Sequence, residues 1–242
     1  MPRHAPFLIV ETGQPVPSMR RHGGFPHWIR TAAGLRRQQV AAIDVEAGGL
    51  LPDHEGFAGV IVTGSGAMVT DRRGWSEDAA AWLRDAAHAG VSVFGICYGH
   101  QLLAHALGGE VGDNPGGREM GTVEVELGAA ASADPLFTGL PPRILAQATH
   151  LQTVLRAPEG AVVLAASALD PCHAFRWGDH AWGVQFHPEF GAGHMRGYIL
   201  ARREALAAEG AAPADLLAEV RAAPQARRVL RRFVRHAYRI TR

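Results

Sequence analysis

The stretch Gly95-Ile96-Cys97-Tyr98-Gly99-His100-Gln101 limits what this chain can fold into more than any other segment. Before it, Val91-Ser92-Val93-Phe94 is a short apolar run suited to a buried strand. After it, residues 101–107 are helix formers, with apolar side chains at Leu102, Leu103, Ala106 and Leu107. A cysteine with glycine two residues away on each side, between a strand and a helix, reads as a nucleophile elbow with Cys in place of Ser. The turn is tight, so small neighbours are needed for the chain to pass. It also sets the sulfur at a helix N-terminus, where free N–H groups and the helix dipole favour a thiolate. A free thiol is most often a core residue; the glycines and the strand weigh against that here.

A thiol needs a base. The best candidate lies ninety residues on, in Trp182-Gly183-Val184-Gln185-Phe186-His187-Pro188-Glu189-Phe190. Residues 181–186 read as a strand, and His187 sits where it ends. In extended chain, residues two apart point to the same side. Glu189 is therefore placed to hold the imidazole while His187 faces the sulfur. Pro188 fixes the backbone between them.

With these two segments the chain resembles a class I glutamine amidotransferase domain, in the style of free-standing relatives of the glutaminase half of GMP synthetase. The resemblance runs from about residue 7 to about residue 198. Supporting matches are Val62-Thr63-Gly64-Ser65-Gly66, Leu107-Gly108-Gly109, Asn114-Pro115 with Glu119-Met120-Gly121, and His150. It implies a triad of Cys97, His187 and Glu189. The elbow itself supplies one oxyanion donor, the backbone N–H of Tyr98. The resemblance places the other in the Gly64-Ser65-Gly66 turn, where the glycines also line the substrate pocket. It makes Gln101 a substrate contact and 149–154 a loop closing over the substrate, with His150, Leu151 and Gln152 against it. Close relatives carry His-x-Asp-x-Val there; this chain has Gln152 in place of the Asp. Either recognition of the substrate's α-ammonium is weakened, or Gln152 faces solvent and the backbone does the binding.

The pattern of elements suits an α/β fold. Strands are expected at 6–11, 38–45, 57–63 and 91–96, with helices near 26–36, 76–89 and 100–107. That alternation predicts a doubly wound, mostly parallel central sheet with flanking helices, flavodoxin-like in style. Short strands are expected at 121–127, 143–148, 162–167, 173–176 and 181–186, as antiparallel additions in the second half. The Gly- and Pro-rich connection 11–25 reads as a surface loop rather than part of the site rim. Residues 1–242 are expected to form one domain, with 199–242 a helical extension packed on it. Helices are expected at 196–208 and 213–238, the second kinked or split at Pro224. Leu216, Leu217 and Val220, then Leu230, Phe233 and Val234, give it an apolar stripe.

Composition narrows the function. The 242 residues carry a net charge of +1 and are 47% hydrophobic, which gives neither a disordered chain nor a nucleic-acid footprint. All 24 basic residues are arginine. That removes a Schiff-base or P-loop lysine. The cluster Arg227, Arg228, Arg231, Arg232 and Arg235 reads as a solvated helix face rather than a nucleic-acid contact. No apolar run is long enough to span a bilayer, and Met1 to Pro6 leads into the first strand without a signal-type apolar region, so a cytoplasmic protein is expected. Two cysteines make no disulfide framework, and Cys172 is given no role. No cofactor is expected. His22, His27, His88, His105 and His180 show no metal-ligand spacing, so no metal is expected either.

Glutamine or a γ-glutamyl compound is thus the expected substrate. No acceptor domain is seen, so a separate synthetase or acceptor subunit would use the ammonia. The alternative is a stand-alone hydrolase of γ-glutamyl amides or peptides.

Overall fold

The computed structural model describes residues 5–241; residues 1–4, part of the N-terminal lead discussed above, and 242 lie outside it. Two apolar faces run along the first strand. In β1 (Phe7–Glu11), Phe7 and Ile9 point to one side and Leu8 and Val10 to the other, and all four are fully buried. A strand covered on both faces needs helices on both sides, which is the condition for a doubly wound sheet. One layer of cover begins with α1 (Phe25–Ala33), which follows a 3-10 turn at Pro17–His22 and ends at Gly34 in left-handed backbone, φ 76°. Then come β2 (Val40–Asp44), β3 (Gly59–Val62), α2 (Gly74–His88), β4 (Val93–Ile96) and α3 (Tyr98–Ala106). Helices α2 and α3 cover the Leu8 side; α1 covers the Phe7 side.

The second half adds β5 (Glu110–Asp113), β6 (Glu119–Leu127), β7 (Arg143–His150), β8 (Gln152–Arg156), β9 (Ala161–Ala166), β10 (Ala174–Trp177) and β11 (Ala181–Val184). The main sheet has nine strands in the order β2-β1-β3-β4-β11-β10-β9-β6-β7. From β2 to β11 neighbours are parallel; from β11 to β7 they are antiparallel. This is the expected parallel sheet with antiparallel additions.

The differences from the sequence pattern have physical causes. Strands β5 and β8 form a separate two-stranded sheet that the pattern did not show. Glu110-Val111-Gly112-Asp113 has too few apolar residues to alternate, and Gln152 and Thr153 are buried polar residues. Strand β7 continues past Ala148 through Thr149 and His150, because it pairs with β6 as far as Glu119. The 11–25 connection is not a plain surface loop: Met19 of its 3-10 turn is buried against Gly197, where a Cβ would overlap the thioether. The helix expected at 196–208 starts earlier and breaks at Arg202, giving α4 (Ala192–Ala201) and α5 (Arg203–Ala208). At Pro224 the expected helix is split rather than kinked, and the proline opens the second piece. The chain leaves α6 (Pro213–Glu219) and starts α7 (Pro224–Ile240) with that proline in the first turn, where its missing N–H costs nothing.

Helix α7 is part of the main core. Phe233 is fully buried, its ring 5.0 Å from Phe94, 6.1 Å from Phe7 and 6.2 Å from Trp182. Its arginine face is only partly solvated. Arg228, Arg231 and Arg235 are exposed, but Arg231 donates to the Ala32 carbonyl at 2.9 Å. Arg232 donates to the carbonyls of Leu136 and Thr138 at 2.9 and 2.6 Å. No helix among the described residues is long and apolar enough to cross a membrane.

Truncating Phe233 empties the junction of two layers. Phe233→Ala is expected to lower unfolding free energy by about 3–5 kcal/mol. Urea unfolding followed by circular dichroism checks this; a loss under about 1 kcal/mol would mean that α7 is not part of the core.

Candidate active site

Strand β4 ends at Ile96 and α3 begins at Tyr98, so Cys97 alone makes the corner. Its backbone stands at φ 52° and ψ −103°, a conformation non-glycine residues rarely hold. Three neighbouring contacts impose it. The Cys97 N–H donates to the Val184 carbonyl at 2.9 Å, the Gly99 N–H to that of Thr63 at 3.1 Å, and the Gln101 N–H to Cys97 itself at 3.1 Å. Both flanking glycines are needed for space. A Cβ on Gly95 would overlap the Gly99 carbonyl, and one on Gly99 would lie 2.6 Å from the Val62 carbonyl oxygen. Tyr98, as the first residue of α3, has an N–H with no intrahelical acceptor. Its hydroxyl is tied to Ser76 Oγ at 2.6 Å.

His187 arrives three residues after β11 ends. Strand β11 runs parallel to β4 with Val184 opposite Ile96, so the two chains leave the sheet at the same level. The His187 N–H donates to the Gln147 carbonyl at 2.8 Å. Its Nδ1 is 2.7 Å from Glu189 Oε1, and both residues are buried. Phe190 stacks on the imidazole, centroids 4.2 Å apart. The ring edge faces the Gly64 turn: a Cβ at Gly64 would lie 2.9 Å from His187 Cε1 and 3.7 Å from Cys97 Cβ. Gly64, Cys97 and His187 therefore meet at one point.

The electrostatics follow from this arrangement. Burial alone would raise the Cys97 thiol; the charge of His187 and a hydrogen bond from it, with the charge of His150 added, bring it below the ordinary thiol value. Burial works against a charged His187, but the Glu189 carboxylate, and then the sulfur, hold its pKa above that of a free imidazole. The pair favours thiolate and imidazolium. Cys172 is the opposite case. Burial and then Asp170 push it up to about 12, and it stays a thiol.

A cavity of about 50 Å³ opens beside Cys97. Gly66, Tyr98, Gln101, His150, Leu151 and Gln152, all singled out in the sequence, line it. Gln101 is fixed: its Nε2 donates to the Gln152 carbonyl at 2.6 Å and to Gln185 Oε1 at 2.9 Å, which leaves its oxygen for the cavity. Gln152 does not face solvent. It is 3% exposed, its Nε2 donates to Thr70 Oγ1 at 2.7 Å and to Asp113 Oδ1 at 3.1 Å, and its Oε1 is buried with no protein partner.

His150 rests on a buried acid. Its Nε2 is 2.9 Å from Glu119 Oε2 and its Nδ1 is 3.0 Å from the Gln152 carbonyl. An acceptor at each nitrogen favours a ring that donates from both. Burial opposes the charge of such a ring, and Glu119 outweighs it, so the His150 pKa is raised. Glu119 also accepts from His173 Nε2 at 2.7 Å and Ser167 Oγ at 2.5 Å. Although burial works against its charge, these contacts hold its carboxyl below the usual carboxylate range. Glu119, His150 and His173 are the one trio among the described residues whose ligand-type atoms all lie within 4.8 Å of one another. Their contacts have the lengths of ordinary hydrogen bonds, and no metal role is assigned to them.

Sequence reasoning missed three parts of this site. Glu119 appeared only as a motif letter, since its partner His173 lies 54 residues away. Arg118 and Arg202 also line the cavity. Arg118 stands beside a recognisable motif, but Arg202 lies in an arginine-rich segment that gives it no distinguishing signal.

Known proteins give the same architecture. A glutamine amidotransferase from Thermotoga maritima superposes with a TM-score of 0.76 at 21% identity, covering 98% of this chain and 99% of that one. One from Methylobacillus flagellatus gives 0.70 at 23% identity, covering 98% and 94%. In sequence, the GMP synthase [glutamine-hydrolyzing] of Aeropyrum pernix is 42% identical over 157 residues, which is 64% of this chain and 28% of that protein. That of Streptomyces avermitilis is 38% identical over 133 residues, 54% of this chain and 24% of that protein. The chain thus spans only about a quarter of the length of these relatives. The family model for glutamine amidotransferase class-I matches residues 22–205, and with a match over most of its length this chain belongs to the class I glutamine amidotransferase family.

Proposed function

We propose that this chain hydrolyses the side-chain amide of glutamine through a cysteine thioester, releasing glutamate and ammonia for a separate acceptor enzyme. The observation that carries this is the meeting of Cys97 and His187 over the Gly64 turn, with Glu189 2.7 Å behind the imidazole. The Cys97 thiolate attacks the amide carbon. The oxyanion that forms takes hydrogen bonds from the Tyr98 N–H and from the turn at Gly64 and Gly66; each such donor lowers the barrier by about 3 kcal/mol. His187 gives its proton to the leaving ammonia, which departs as the thioester forms. Water, its proton taken by His187, then releases glutamate. Glu189 fixes the ring and stabilises its charge. Gln101, His150, Leu151 and Gln152 hold the substrate. The relatives that carry the words glutamine-hydrolyzing support both the substrate and a synthetase as the user of the ammonia. A cytoplasmic setting is part of this proposal; among the described residues no helix is long and apolar enough to cross a membrane.

Gln152 favours a second reading. It puts a neutral buried oxygen where the related loop carries a carboxylate. The site then leans less on the α-ammonium and more on groups beyond the γ-amide nitrogen, as in a stand-alone hydrolase of γ-glutamyl amides or peptides, whose α-amine is free like that of glutamine. Side-by-side turnover of glutamine and γ-glutamyl peptides separates the two.

Cys97→Ala is expected to cut glutamate release by at least about 10³-fold while the melting temperature stays within a few degrees. Equal turnover in the variant would overturn the mechanism. Alkylation supplies a second check. Because the Cys97 pKa is lowered and that of Cys172 raised to about 12, iodoacetamide is expected to modify Cys97 below pH 8 and spare Cys172, as read by peptide mass spectrometry. His187→Ala is expected to move the Cys97 alkylation profile toward higher pH. An unmoved profile would show that the imidazole does not govern the thiol.

A further inference from the structure

We propose that Arg202 is the residue that recognises the substrate's carboxylate, a specificity determinant delivered to the nucleophile's cavity by the break between α4 and α5. This rests on the reading above that the cavity takes a glutamine-like γ-amide.

Arg202 lines the same small cavity as Cys97, Gln101, His150 and Gln152. Its side chain makes no hydrogen bond and no ion pair within 4 Å among the described residues, and its Nε is buried without a partner. A partly buried guanidinium left in this state is costly, because water has been removed and nothing has replaced it. The neighbouring arginine is handled differently. Arg118 is held by two parallel hydrogen bonds from its Nε and Nη2 to the Glu209 carboxylate, at 2.7 and 2.8 Å. Of the two arginines at the cavity, then, one is neutralised by the protein and the other is not. No Asp or Glu lines the cavity; its other cationic groups are Arg118, already paired with Glu209, and His150. Burial and then the nearby Arg118 disfavour the charge on Arg202, while Tyr198, the Cys97 sulfur and then Glu209 favour it, so the guanidinium and the nucleophile lie within electrostatic reach of each other.

An anion entering with the substrate would complete this arrangement. A planar carboxylate matches the guanidinium fork, and a cavity of about 50 Å³ limits the group to a small one. In a glutamine-like molecule the carboxylate lies at the opposite end from the γ-amide. Cys97 would take one end and Arg202 the other. Placement at the end of α4, where a cation meets the helix dipole, also stabilises an arginine, but that does not require its side chain to line the cavity.

The test uses covalent capture, which needs no acceptor enzyme. The full-length protein is treated with 6-diazo-5-oxo-L-norleucine, which carries both a γ-electrophile and an α-carboxylate, and in parallel with chloroacetamide, which has no carboxylate. Labelling of Cys97 is followed by mass spectrometry. In Arg202→Met the second-order rate for the diazo compound is expected to fall about 10–100-fold, through weaker binding rather than a slower bond-forming step, with the chloroacetamide rate unchanged. Arg202→Lys, which keeps the charge without the fork, is expected to fall in between. Wild-type preference for the diazo acid over its α-methyl ester is expected to vanish in Arg202→Met. Equal labelling of wild type and Arg202→Met by the diazo compound would overturn the proposal and leave the glutaminase reading intact. Equal slowing by both reagents would make Arg202 a support for the cavity, which also overturns it. Wild type labelled by chloroacetamide but not by the diazo compound would instead sink the glutamine reading itself.

Discussion

Position 97 holds a side chain where backbone sterics favour none. A φ of 52° with a ψ of −103° stores about 1–3 kcal/mol of strain in a residue other than glycine. The surroundings must therefore over-determine it, and they do. The carbonyls of Val184, at the end of β11, and Thr63, just past β3, each fix one peptide of the turn. The absence of side chains at 95 and 99 lets α3 settle directly on β3 and β4. Relaxing the corner would move the sulfur away from His187 and the Tyr98 N–H together, so the strain and the geometry of the pocket are one property.

The rest of the site is aligned by the sheet. In parallel neighbours, strand ends that are level in register deliver their following loops to the same edge, where open α/β sheets bind ligands. Gly183 lies opposite Gly95 and Val184 opposite Ile96, so sequence segments ninety residues apart are brought together by four residue pairs. Two acid–imidazole pairs then stand around the thiol, Glu189 with His187 and Glu119 with His150. Both are buried, so little solvent screens them, and both favour negative charge on sulfur.

How much of this was readable in the letters depends on the range of the interaction. The elbow, the His-Pro-Glu segment and the alternating strands are local patterns, and they appear in the structure as the sequence suggests. Strands β5 and β8 were not legible, because their stability comes from pairing and burial of polar residues such as Gln152 rather than from alternation. Pro224 was legible as an interruption but ambiguous in kind, since a proline either breaks a helix or starts one. Glu119 and Arg202 were opaque. Their significance lies in partners brought from distant segments, Ser167 and His173 for one and the cavity itself for the other.

Helix α7 also has a consequence for synthesis. Phe7 opens the first strand, yet its ring packs on Phe233 and Tyr238, the latter 5.0 Å away, and Thr241 reaches the Ala58 carbonyl. A nascent chain leaving the ribosome thus carries one side of its sheet, including Phe94 and Trp182, without its final cover until residues 229–237 emerge. Closure of that layer waits for α7, and the interval before it is when the exposed aromatic surface is most open to aggregation or chaperone capture.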